Sequence, residues 1–269
     1  MAFNENIIIK KQILKIVTMH VVLLAFSVNS YAISSLKNNE LNNMATIKSI
    51  AQNGDAQAQY VLGRSFKDGR GVFKNNQMAA YWYEKSAIQG FAPAQIDLGQ
   101  MYVNGDGVSQ DYQKAVSWFK KAASYGHATA QYNLANAYRN GLGVDRDLGL
   151  AVKWYTRAAE LGFKHAQYNL ALMYYFGKGV EQDPAKAVYW YKKSAEQGYT
   201  AAQFFLAELY KEGLGIKQNK VEALYWYSLA QQGGYGLAAD FVQRLKEEMS
   251  HEAISGVEKR LITQGMAFQ

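Results

Sequence analysis

Few residues in this chain have the types and spacing that catalysis needs. It has four histidines, His20, His127, His165 and His251, and no cysteine. A metal site or a nucleophile–base pair requires partners that converge on one place. His20 lies in an apolar N-terminal stretch and His251 near the far end, while His127 and His165 do not share a position in the pattern described below. Packing or solvation is therefore their expected role. The segment Gly105–Asp106–Gly107 has a trace of a calcium loop but lacks the run of oxygen ligands that calcium takes. The same place elsewhere reads G-R-G, G-L-G and G-K-G, so a turn is expected. No catalysis, metal or cofactor is predicted. The chemistry left is recognition, through amides that both donate and accept hydrogen bonds and tyrosines that offer wide, stiff contact surfaces.

Those amides and tyrosines belong to a repeated element. Trp82, Trp118, Trp154, Trp190 and Trp226 are spaced 36 residues apart, and sliding the chain by that period aligns five full copies and a sixth, partial one opened by Gly234. Every full copy carries Ala-Gln at its fifth and sixth places, from Ala58 and Gln59 to Ala202 and Gln203. A leucine follows (Leu62, Leu98, Leu134, Leu170, Leu206), then Gly63, Gly99, Ala135, Ala171 or Ala207, then Phe66, Tyr102, Tyr138, Tyr174 or Tyr210. These spacings place the small and large apolar residues on one face of a first helix, helix A. A G-x-G-V loop comes next, its first glycine placed where a helix ends in a left-handed residue. A second helix, helix B, is predicted to start at Asn75, Asp111, Asp147, Asp183 or Asn219, side chains that accept from free amides. Helix B sets Ala187, Trp190, Tyr191 and Ser194 at i, i+3, i+4 and i+7, with like residues in the other copies. The tryptophans are the expected knobs and the Gly or Ala of helix A the expected hollows.

The glutamines Gln59, Gln95, Gln131, Gln167 and Gln203 do not vary between copies, whereas residues that confer specificity should. They are predicted to bond backbone at the junctions between copies, since a buried amide must be satisfied.

The ends depart from the period. Lys10, Lys11 and Lys15 precede an apolar stretch over 16–28, and Ser30 and Ala32 supply small residues at the places a signal peptidase reads. Residues 1–32 are therefore expected to be a cleaved secretory signal. The alternative, an uncleaved anchor, is too short for a hydrocarbon core that needs about 20 apolar residues. Export to the periplasm or beyond the cell follows, with no membrane span in the mature chain. Removing 3 of 29 basic and 1 of 22 acidic residues leaves 26 against 21, a net of +5, too mild to predict nucleic-acid binding. The expected organisation is a capping helix over 33–53, five repeats (54–89, 90–125, 126–161, 162–197 and 198–233), and a half-repeat with a capping helix over 234–269. In the last, Leu237, Phe241 and Leu245, then Ile254, Val257 and Leu261, form apolar stripes.

The string A-Q-x-x-L-G-x-x-Y-x-x-G-x-G-V, followed by an acidic or amide cap, Lys-Ala, Trp-Tyr and two small residues, resembles the Sel-like repeat family, 36-residue relatives of tetratricopeptide repeats. Residues 90–123 match it almost throughout, and the likeness covers 54–233. It implies an all-α, right-handed α/α superhelical solenoid acting as a scaffold or adaptor, and is similar to secreted bacterial members implicated in envelope processes and host contact. Some cysteine-rich relatives are linked to β-lactam chemistry, which a chain without cysteine makes remote. By the same analogy the variable side of helix A lines a concave groove. Its candidate binding residues are Gln100, Tyr132, Asn133, Asn136, Arg139, Asn140, Tyr168, Asn169, Leu172 and Tyr175. The expected function is a monomeric, exported, non-enzymatic scaffold whose groove takes a protein or extended peptide. The alternatives are a peptidoglycan or carbohydrate binder, since tyrosines also stack on sugar rings, or an accessory envelope hydrolase. For any one of these tyrosines or asparagines, packing between helices or plain solvation is an equal reading.

Overall fold

The computed structural model describes residues 44–267. The predicted signal sequence and the first part of the predicted N-terminal cap lie outside those residues. Among the described residues there are thirteen helices and no strand. A lone helix α1 (Met44–Gln52) precedes five hairpins: α2 (Ala56–Asp68) with α3 (Asn76–Ile88), α4 (Ala92–Asn104) with α5 (Tyr112–Ser124), α6 (Ala128–Asn140) with α7 (Leu148–Glu160), α8 (Lys164–Phe176) with α9 (Pro184–Glu196), and α10 (Thr200–Glu212) with α11 (Lys220–Gln232). Two closing helices, α12 (Ala238–Glu247) and α13 (His251–Ala267), follow. Each helix up to α12 packs chiefly on its neighbours in the chain, and α13 rests on α11. The result is an all-α solenoid.

The loops hold the hairpins by the predicted means. Gly69, Gly105, Gly141, Gly177 and Gly213 end the A helices with φ between 66° and 76°, a left-handed conformation that costs glycine least. The carboxylate or amide of Asn75, Asp111, Asp147, Asp183 and Asn219 accepts the backbone N–H three residues on, at 2.8–3.1 Å, and starts each B helix. The cap's own N–H closes the loop by donating to the A-helix aromatic, as Asp111 does to the Tyr102 carbonyl at 2.9 Å.

The second glycine of each loop does something else. At Gly107, Gly143, Gly179 and Gly215 the backbone presses on the first residues of the preceding repeat's B helix, respectively Asn76, Tyr112, Leu148 and Pro184. These glycines are contacts between repeats as well as turns.

The tryptophans are not the knobs. The residue after each one is: Tyr83, Phe119, Tyr155, Tyr191 and Tyr227 are all buried, the four tyrosines fully. A Cβ added at Gly63 would lie 2.6 Å from the Tyr83 ring, and one at Gly99 would lie 2.6 Å from the Phe119 ring, so these glycines are the hollows, matched to the neighbouring aromatic. Trp82, Trp118, Trp154 and Trp190 are half-buried; Trp82 packs on the cluster of Ile47, Ala51 and Leu62, and the other three on clusters that include residues of the preceding repeat, Trp118, for example, on that around Ala79, Tyr83 and Leu98. Trp226 alone is buried, beneath the closing helices. On a helix, residues one apart diverge by about 100°, so one faces the partner helix and the next a flank.

The invariant glutamines clasp the junctions as expected. Each side-chain N–H2 donates to a carbonyl eight residues back, on the last turn of the preceding helix: Ala51, Ala87, Ala123, Ala159 and Ala195, at 3.0–3.4 Å. Their amide oxygens divide the repeats. Gln59 accepts from Gln89 at 2.8 Å and Gln167 from Gln197 at 2.7 Å. Gln95, Gln131 and Gln203 have no protein partner on that oxygen, and the residue thirty further on is Tyr125, Leu161 or Gly233 where the satisfied repeats have glutamine. Tyr125 and Leu161 are largely exposed and give up little by being replaced. Tyr125→Gln and Leu161→Gln are therefore expected to stabilise the chain by about 1 kcal/mol each, the net worth of one hydrogen bond to a buried group. Urea unfolding would measure it, and a loss of stability in both would contradict this account of the clasp.

The C-terminal stripes form two helices, with Val242, Leu245 and Val257 buried. Leu237, predicted to lie on the first stripe, is instead mostly exposed just before α12 begins.

Candidate functional site

A cavity of about 300 Å³ opens where α4, α5 and α6 meet. Six of the ten groove residues picked out in the sequence line it: Gln100, Tyr132, Asn133, Asn136, Arg139 and Asn140. Its apolar floor comes from Val103, Val116, Phe119 and Ala137.

Two departures from the repeat pattern account for the space. The place held by Met101, Met173 and Leu209, all buried, and by Ser65 in the first repeat, is held in the third by Ala137, two to three heavy atoms shorter than the methionines and the leucine. Phe119 stands where the other repeats have tyrosine, so no hydroxyl projects toward Gln100. In the third and fifth repeats that hydroxyl is engaged, Tyr155 donating to Asn136 Oδ1 and Tyr227 to Glu208 Oε1. Gln100 instead donates to Asn104 at 3.0 Å. Composition and period conceal Ala137 and Phe119; a column-by-column comparison of the repeats is the signal that finds them.

The other four predicted residues lie one repeat further on. Tyr168 is held among the rings of Tyr191, Tyr199 and Phe205, at 5.1–5.9 Å between centroids. Burial pushes its phenol up to about 12. Asn169 is buried and accepts from Arg139 at 3.4 Å. Leu172 and Tyr175 are partly buried against the core of the fourth and fifth repeats, and Tyr175 packs edge-on to the exposed Phe176. These four are therefore taken up by contacts within the protein, Tyr168, Leu172 and Tyr175 with the core of the fourth and fifth repeats and Asn169 with Arg139, whereas the space between α4, α5 and α6 is open. Tyr132 serves both purposes, since it lines the cavity and also packs on Phe163 of the next repeat at 5.2 Å.

Among the described residues no three of His, Cys, Asp and Glu converge as metal ligands. His127 and His251 are exposed. His165 stands edge-on to Tyr199 at 4.9 Å, and burial together with the neighbouring Lys164 holds its imidazole below the usual range. Ser117 and Lys120 have the S-x-x-K spacing of serine acylases, but both are exposed on α5. Gly105 and Gly107 form the predicted turn, and Asp106 accepts from Asn104 at 3.2 Å. Among the described residues no helix is long and apolar enough to cross a membrane.

The family model described as Sel1 repeat matches five consecutive segments, 56–91, 92–127, 128–163, 164–199 and 200–235, two residues later in phase than the period read from the glycines. The chain belongs to the Sel1 repeat family. Sel1 repeats are helical scaffolds, mostly non-catalytic, that typically mediate protein–protein interaction. Among solved Sel1-type structures, a protective antigen of uropathogenic Escherichia coli strains displaying an SLR fold is 36% identical with a TM-score of 0.75. That match covers 76% of this chain and 44% of the antigen, so the chain spans less than half of that relative. A Sel1 repeat protein from Oxalobacter formigenes is 34% identical with a TM-score of 0.66, the match covering 82% of this chain and 84% of the other. No curated protein sequence matches the chain.

Proposed function

We propose that this Sel1 repeat chain is an exported, non-enzymatic scaffold that holds a protein or extended peptide along its A helices, anchored in the cavity between α4, α5 and α6. The cavity carries the reading. It is a concave site with an apolar floor and convergent amides, the composition that suits a peptide whose backbone offers both donors and acceptors. Export rests on the basic, apolar and small-residue succession over 10–32. The likeness to a chain described as a protective antigen supports it.

A photo-crosslinking side chain placed at Asn133, in the cavity, is expected to give a polypeptide adduct in the producing cell in at least ten-fold higher yield than one at Lys153, exposed on α7. Equal yields from the two positions would reject the groove. Adducts only to glycan would replace the peptide reading with carbohydrate binding.

A further inference from the structure

We infer that the cavity between α4, α5 and α6 recognises a carboxylate carried beside an apolar side chain, with Arg139 as the anion receptor; this rests on the peptide reading above and gives its ligand a chemistry. Arg139 is half-buried, and the groups its guanidinium meets are neutral: Asn140 Oδ1 and Asn169 Oδ1, each at a long 3.4 Å, and the Tyr155 ring at 5.9 Å. Among the described residues no carboxylate lies within ion-pair distance of it, whereas the partly buried Lys211 reaches both Glu208 and Glu212 and Arg260 reaches Glu222. A guanidinium drawn out of water without an anion is costly, and a carboxylate is the partner its planar fork fits best.

The amides around Arg139 are turned the same way. The Tyr155 hydroxyl occupies Asn136 Oδ1, and Arg139 Nε occupies Asn140 Oδ1, so each amide keeps its N–H2 as the free end. No Asp or Glu lines the cavity. Donors without a competing anion select a negative ligand, and Val103, Val116, Phe119 and Ala137 leave room beside it for an apolar side chain. A chain-terminal α-carboxylate and an internal Asp or Glu share this chemistry.

The test uses the full chain and two random heptapeptide libraries, identical except that one ends in a free acid and the other in an amide. The free-acid library is expected to be retained, enriched in an apolar last residue, and the amide library at least ten-fold less. Retention of amidated peptides rich in Asp or Glu would support the carboxylate while assigning it to a side chain. Arg139→Gln should lower retention at least ten-fold, with Arg139→Lys restoring part of it. Ala137→Met should abolish retention without loss of thermal stability, because methionine is what the second and fourth repeats carry at that place. Peptides retained equally with and without acid groups, and unaffected by Arg139→Gln but lost with Ala137→Met, would overturn the anion receptor and leave the peptide cavity standing. Retention of neither library by the well-folded chain would overturn both.

Discussion

Gly143→Ala is expected to break the array near its middle, while Gly126→Ala only weakens it. Both glycines are left-handed, at φ 73° and 83°, and alanine there costs roughly 1–2 kcal/mol from local sterics alone. At Gly126 an added Cβ meets nothing within 4 Å, so that local cost is the whole effect. At Gly143 it would overlap the Tyr112 carbonyl and lie 2.8 Å from the Gln113 nitrogen. Both obstacles are backbone at the start of α5, so no rotamer change relieves them, and the contact between the second and third repeats must open. A total above about 3 kcal/mol follows, in the range reserved for strain added to lost packing. Because repeats contact only their neighbours, opening one junction uncouples the two sides, and urea unfolding should change from one transition to two. Equal losses for the two variants, each in a single transition, would show that the second loop glycine is merely a turn.

The same glycines show what the sequence could disclose. Sixteen glycines occupy the recurring places, and those sixteen are the ones with positive φ, so period and residue type together were enough to locate the turns. That Gly107 and Gly143 are also crowded by another repeat depends on how hairpins stack, a relation between residues about thirty apart that a local pattern does not encode. The invariant glutamines were readable for the converse reason, because a buried amide has few ways to be satisfied and the junction carbonyl is close by. Of the cavity, the polar wall was visible because the columns that hold Asn133, Asn136 and Asn140 change residue type along the array. The floor was not, since Ala137 and Phe119 look like ordinary apolar residues until their columns are compared. Tyr168 and Asn169 have the composition of a groove, yet ring packing and burial absorb them.

The largest single loss from a side chain should come from Tyr191, beside the tryptophan that marks the fourth repeat. Tyr191→Ala is expected to cost about 3–5 kcal/mol, the usual price of removing a fully buried aromatic. Its ring lies stacked on Phe205 at 5.7 Å with 9° between planes, and beside Tyr168 at 5.8 Å, so the void would open between α8, α9 and α10. Trp190→Ala removes the larger side chain and should cost less, roughly 1–2 kcal/mol, because the indole is only half-buried and part of it already faces water against the exposed Tyr189. Size and period together favour tryptophan as the core residue, and both are blind here: two adjacent positions recur with the same 36-residue spacing, so periodicity cannot tell which of them points at helix A. Burial can. Urea denaturation of the two variants decides it, and a greater loss from Trp190→Ala would return the tryptophans to the role of knobs and displace the hollows at Gly63 and Gly99 from this account of how the hairpins close.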